Sequence, residues 1–220
     1  MKKDKRISVS FGIYAVSVAV LIFGFVWSFF GIEIYERIAV VFLASVLLFA
    51  GSLVRIFRID AHKEQEIMRR TFCFLFLIFL LLFVALVFID GYFGNSRTEQ
   101  TQRRISAIPF ETSRRLLYAA KKGWISPWKP IVNIAGNLLL CMPFALFLPL
   151  LFKSQKKFFV FLLTVSAVVL AVEILQYATV CGVCDVDDVI FNLSGAAAAF
   201  GVLRIPFVRR LIDKITKLTY

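Results

Sequence analysis

Eight polar side chains lie in or beside long apolar stretches of this 220-residue chain: Asn133, Asn137, Glu173, Gln176, Asp185, Asp187, Asp188 and Asn192. Asn133 and Asn137 are four apart, and Glu173 and Gln176 three apart, so on helices each pair shares a face. Asn192 follows the acidic run Asp185, Asp187, Asp188 by a single turn. A charged side chain at the centre of a bilayer costs about 3 kcal/mol by insertion scales, so such residues are functional candidates by default. Carboxylates accept hydrogen bonds, and amides both donate and accept. Together they suit a polar headgroup, neutral or phosphate-bearing. They are also the donor types of an oxygen-liganded Mg²⁺ or Ca²⁺ site, although the spacing matches no specific metal motif and no metal ligand is assigned. Glu173 or Asp188 is the candidate base if the site is catalytic, and catalytic roles stay open. His62, the only histidine, stands far from these residues in a charged connection, which excludes histidine chemistry.

Plainer roles exist for each residue. Asn and Gln hydrogen-bond helices together in many membrane bundles. Asp185 and Asp188 precede an apolar block, where an anion meets a helix dipole and caps its first turn. Asp187 is equally well explained as a solvated loop carboxylate. Cys181 and Cys184 form the only CxxC, and no thioredoxin-like βαβ pattern surrounds it. Cys73 and Cys141 read as small core residues inside apolar blocks.

The elements that position these groups are long apolar helices. Hydrophobic residues make up 60% of the chain, with 25 phenylalanines, against about 45–50% in soluble domains. They fall in blocks of roughly 17 to 24 residues, charge-free apart from Glu173 and Arg204, the length that crosses a bilayer core. The blocks run over Ile7–Phe30, Ile38–Val54, Thr71–Ile89, Ile131–Phe152, Phe158–Tyr177 and Val189–Val208. The expected fold is all-α, a polytopic transmembrane helical bundle of about six spans. Residues 1–90 read as a three-helix membrane segment, 91–130 as a basic outer loop, and 104–205 as a core containing the last three spans. Arg55–Arg70 reads as a charged connection. Glu111–Lys122 reads as a short basic amphipathic helix in the membrane interface, with Leu116, Leu117 and Tyr118 on its apolar side. Gly195 and the following alanines read as a close helix contact.

The net charge of +12 lies between the apolar blocks, where Lys and Arg meet anionic lipid headgroups. That placement argues against nucleic acid as a partner. Seventeen Lys/Arg fall in the segments that share a side with the N-terminus and nine on the other side, so both termini are expected in the cytoplasm. Under that topology all the polar candidates fall in one layer at the outer leaflet.

The order and spacing of several of these residues resemble the VanZ family. The resemblance rests on Ile108-Pro109-Phe110, on Asn133-x3-Asn137 followed by Pro143-Phe144, on Glu173-x2-Gln176, and on Asp185-x-Asp187-Asp188-x3-Asn192-x2-Gly195, and it covers roughly Arg104 to Leu203. Many relatives carry Gly where this chain has Ala145, and an Arg shortly before the acidic run where this chain has Val180 to Cys184. The family's named member is associated with low-level teicoplanin resistance. The resemblance implies a multi-pass protein of the bacterial cytoplasmic membrane that acts near the cell envelope, with Pro109 and Phe110 as a motif of the outer loop. The expected partner is a membrane lipid or a lipid-linked cell-wall precursor, bound without catalysis. A metal-assisted membrane enzyme acting on a lipid headgroup is the alternative.

Overall fold

The computed structural model describes residues 2–28, 34–56, 61–89, 105–179 and 183–220. Much of the expected basic loop (residues 90–104) and Cys181 lie outside the described residues. Two compact units divide the chain, Met1–Leu86 with Ile212–Thr219, and Val87–Leu211 with Tyr220.

The first unit holds α1 (Lys2–Ser28), α2 (Ile34–Ile56) and most of α3 (Ala61–Val84), which widens into a π turn over Ala85–Ile89. Small hydroxyl side chains join these apolar helices, as expected where lipid removes any hydrophobic preference for one helix over another. Ser17 donates to the Ala44 carbonyl (2.7 Å), Tyr14 meets Ser52 (3.0 Å), and Ser52 meets Thr71 (2.7 Å). The expected charged connection proves helical from Ala61 onward: α3 carries it as a polar first part before the apolar span. Arg70 pairs with Glu66 one turn back at 2.5 Å. Cys73 is exposed, contrary to a core role, because it lies on the same outward stripe of α3 as Leu77, Leu81 and Val84. Cys141 is buried as expected.

The second unit holds α4 (Glu111–Lys121), α5 (Trp128–Leu140), α6 (Met142–Leu151), α7 (Phe158–Thr179) and α8 (Val186–Leu203). The helix α9 (Pro206–Thr216) follows α8. Two-residue segments, β1 (Ile105–Ser106) and β2 (Cys184–Asp185), pair in parallel, so the fold remains all-α apart from this bridge. The expected span Ile131–Phe152 begins earlier, at Trp128, and is broken in two at Cys141. Pro143 is the reason: it has no N–H for an i−4 carbonyl, and its ring crowds the preceding turn. The last span ends at Leu203 rather than Val208, because Pro206 starts a new helix.

In this unit α8 packs on α5, α6 and α7. Phe161 stacks on Phe200 (4.6 Å) toward one end, and the α7 carboxylate of Glu173 reaches Asp185 at the other, so α7 and α8 are antiparallel. Phe144, Ala145, Phe161, Val165 and Ala196 are buried between helices, while Phe159, Leu163 and Ile174 are exposed. Large apolar side chains facing outward suit a helix solvated by lipid.

Gly195 sets the closest approach. A Cβ there would lie 1.8 Å from the Leu138 carbonyl oxygen, so α8 crosses α5 at backbone contact. Among the described residues, five helical stretches are long and apolar enough to cross a membrane, Ile38–Ile56, His62–Phe88, Trp128–Leu151, Phe158–Thr179 and Val186–Leu203; α1 adds a shorter apolar stretch, Ile7–Ile22. The chain is a multi-pass membrane helical bundle.

Candidate functional site

The polar residues collect where α8 begins and α7 ends, beside the last turn of α5. Helix α8 starts at Val186 because Asp185, with extended backbone, takes the N-cap and accepts from the Asp187 N–H at 2.9 Å, which satisfies one orphan donor of the first turn. Glu173, 4% exposed, accepts from the N–H of Asp185 itself at 2.9 Å. The end of α7 therefore grips the cap of α8. The register of β1 with β2 sets Ser106 beside Asp185 and Ile105 beside Cys184.

Asp187 is not a solvated loop residue. It belongs to the first turn of α8, is 1% exposed, and reaches the beginning of α4. Its carboxylate accepts from the Phe110 N–H, the Ser113 N–H (2.9 Å) and the Ser113 hydroxyl (2.8 Å). The N-cap position of α4 is Phe110, which has no side-chain oxygen to offer. Asp187 supplies that cap from another helix, with its charge at the positive end of the α4 dipole. Phe110 adopts a left-handed backbone, φ 62°, uncommon for a bulky residue. It is held there by Asp187 on its N–H and by Phe191 against its ring, centroids 6.2 Å apart. The Pro109-Phe110 motif is thus the point at which α4 joins the acidic run.

A second group is built from amides. Asn137 donates through Nδ2 to the Asp188 carboxylate. Asn192 donates to the Asp188 carbonyl at 2.8 Å and to Asn137 Oδ1 at 3.4 Å. The carbonyl accepts only, which fixes the Asn192 amide with its nitrogen toward Asp188. Its oxygen is then buried without a partner among the described residues. Asn133, half-buried one turn earlier in α5, joins none of these bonds. Gln176 turns elsewhere and donates to the Val87 carbonyl in the π turn (3.2 Å).

Glu173, Asp185 and Asp187 are each at most 4% exposed. Ion pairs such as Arg70–Glu66, Arg115–Glu111 and Lys217–Glu64 lie away from the four acids. Backbone N–H groups and one hydroxyl hold the three buried carboxylates instead. No group of three or more His, Cys, Asp or Glu among the described residues has a metal-holding arrangement, so the Mg²⁺ or Ca²⁺ candidate gains no donor set there. Burial, then the Glu173 and Asp185 carboxylates, push the Cys184 thiol up from its ordinary value. That is opposite to the lowered pKa of reactive redox cysteines.

The expected apolar face of α4 is divided. Leu116 is half-buried, while Leu117 and Tyr118 are exposed beside Arg114 and Lys121. Trp124 and Trp128 follow, 70% and 68% exposed. Exposed Trp and Tyr with basic residues are the composition of a membrane–water boundary. Sequence reasoning missed Ser113 and the inward role of Asp187. Their partnership spans more than 70 residues and leaves no local spacing to read.

Comparison with curated proteins and with solved structures gives no match. A family model described as VanZ/LLP1 matches residues 74–208, a stretch that takes in every member of the polar cluster from Phe110 to Asn192. Since that match covers more than half of the 220 residues, the chain belongs to the VanZ/LLP1 family.

Proposed function

We propose that this protein is a non-enzymatic envelope-lipid binder whose polar layer, at the outer leaflet of the bacterial cytoplasmic membrane, takes the headgroup of a membrane lipid or of a lipid-linked cell-wall precursor. The observation that carries this reading is the link made by Asp187, which fastens the basic, aromatic-flanked helix α4 directly to the start of α8. A headgroup at that rim meets two chemistries. Arg114 and Lys121 on α4, with Lys122 at its C-cap, suit a phosphate, while Asn137, Asp188 and Asn192 offer acceptors and amide donors to hydroxyl or amino groups. The break at Cys141 adds to this, because discontinuous membrane helices leave backbone polar groups turned to the interior and often line binding sites. Asp185, Asp187 and Glu173 hold the frame, and Asn137, Asp188 and Asn192 are the contact residues. Occupying such a headgroup lowers teicoplanin susceptibility by altering how a lipophilic glycopeptide engages the surface.

The test is mass spectrometry of lipids that co-purify with the native chain, with Asp188→Asn and with Glu173→Gln. Both substitutions keep shape and remove charge. The expected result is one headgroup class enriched over bulk membrane with the native chain and depleted in Asp188→Asn, with teicoplanin susceptibility changing in parallel. Identical lipid profiles in all three samples would refute the reading.

Its orientation is tested separately. With both termini cytoplasmic, a membrane-impermeant thiol reagent labels Ser96→Cys in intact cells and spares Ser154→Cys. The reverse pattern moves the polar layer to the cytoplasmic face.

A further inference from the structure

Helix α9 follows the last span with almost no slack. Span α8 ends at Leu203 and α9 begins at Pro206, and three peptide steps reach roughly 10 Å. The helix therefore starts at the membrane boundary, at the end of α8 opposite its Asp185 cap. Pro206 suits the first helical position, where its missing N–H costs nothing.

The composition of α9 has two apolar faces. Val208 and Ile212 are half-buried and Thr216 is buried, which accounts for one face. Phe207, Leu211 and Ile215, four residues apart, form a second stripe, exposed by 72%, 47% and 44%. At 100° per residue, Arg210 and Lys214 fall directly beside that stripe, on its far side from Val208. Arg209, Arg210 and Lys214 against Asp213 leave the helix with a net positive charge. Charged side chains beside an exposed apolar stripe let the ring and aliphatic groups enter the acyl boundary while the cations stay at headgroup level. A purely apolar partner would leave those cations unmatched, and a soluble acidic partner would leave the stripe wet.

We infer that α9 is an in-plane lipid-binding helix, whose Phe207–Leu211–Ile215 stripe enters the leaflet where α8 ends and whose Arg210 and Lys214 recognise anionic phospholipid headgroups there. This site is independent of the polar layer at the start of α8. Its ligand is defined by negative charge at a membrane surface, and the composition of that leaflet sets how firmly the segment after α8 is held.

Hydrogen exchange of the full native chain in lipid nanodiscs tests this without modification of the protein. One preparation contains phosphatidylcholine alone and the other phosphatidylcholine with phosphatidylglycerol. Amides of residues 207–216 are expected to exchange roughly thirtyfold more slowly with the anionic lipid, the scale set by two basic residues at a charged surface. High salt should erase part of the difference, and Arg210→Gln with Lys214→Gln should remove most of it. Phe207→Ser with Leu211→Ser should raise exchange in both lipids. Exchange within Phe158–Thr179 reports whether each variant retains its bundle; if it does not, the native comparison decides. Equal exchange of α9 in the two lipids, or an anionic-lipid effect that survives loss of both charges in an intact bundle, overturns the inference.

Discussion

Gly195→Ala is expected to lower the amount of folded protein in the membrane more than the same change at any other glycine within the described helices. The added Cβ would sit 1.8 Å from the Leu138 carbonyl oxygen, 2.7 Å from its carbon and 3.0 Å from its Cα. These are backbone atoms, so no side chain can swing aside. Ordinary C···O contact needs about 3.3 Å, and α5 and α8 must part by roughly 1.5 Å to restore it. Overpacking in a well-packed core costs about 1–3 kcal/mol, and a backbone collision belongs at or above the upper end. The same parting pulls Asn137 from Asp188 and Asn192, which lie on these two helices within two turns of the contact. Membrane abundance and thermal unfolding in detergent check this. Gly136→Ala and Gly201→Ala are the controls, since a Cβ at either position meets nothing within 4 Å. A Gly195→Ala protein as abundant and as stable as these controls would contradict the packing described for α5 and α8.

Asp187→Ala is expected to release α4 while leaving the spans in place. The substitution strands the Phe110 and Ser113 N–H groups and the Ser113 hydroxyl. Ser113 is 5% exposed, so water does not readily replace the lost acceptor. A buried donor left unmet costs about 1–3 kcal/mol, and hydrogen bonds to a charged group lie at the upper end. With several affected, a loss of about 3 kcal/mol or more is reasonable for this local unit. Phe110 then has less reason to stay left-handed, and the α4 N-terminus frays. Limited proteolysis near residues 105–125 should accelerate at least tenfold, as about 1.4 kcal/mol already implies for an opening equilibrium. Asp187→Asn should fall between, since it keeps one acceptor oxygen but turns an NH₂ toward N–H donors. Ser113→Ala loses only one of the three bonds and should be mild. Unchanged proteolysis in Asp187→Ala would mean that α4 is anchored by something other than this carboxylate.

Asp188→Asn provides a contrast between neighbouring acids. Asp188 meets one amide, from Asn137, and its backbone carbonyl serves Asn192 whatever its side chain. Its replacement should disturb the fold less than that of Asp187 and disturb headgroup binding more. A single residue step along α8 turns the side chain by about 100°, which is enough to give the two aspartates different partners.

Composition and block length are enough to define the class of this molecule. Charge-free runs such as Ile38–Val54 have one stable form in hydrocarbon, a helix that satisfies its own backbone, so spans and their order follow from composition and length. Periodicity likewise put Asn133 and Asn137 on one face, and the order of motifs from Pro109 to Gly195 pointed to the family that matches residues 74–208. Local chemistry also gave the Asp185 cap and the small-residue contact at Gly195, because a cap needs only its own first turn and a glycine among alanines has few other uses in a span.

Which polar groups meet follows instead from packing between helices. Asn133 and Asn137 have the same residue type and share a helix face, yet only Asn137 lies at the depth of Asp188. Gln176 shares a face with Glu173 but is drawn to the Val87 carbonyl at the end of another helix. Asp187, which looked solvated, is the most buried of the acids because the N–H groups that it accepts from lie 74 and 77 residues away. The break at Cys141 and the restart at Pro206 were written in the prolines, but whether a proline kinks a span or ends it depends on neighbours that take up the freed carbonyls. Periodicity fixes direction around one helix axis, whereas axial depth and partnership are fixed by packing between helices far apart in the chain.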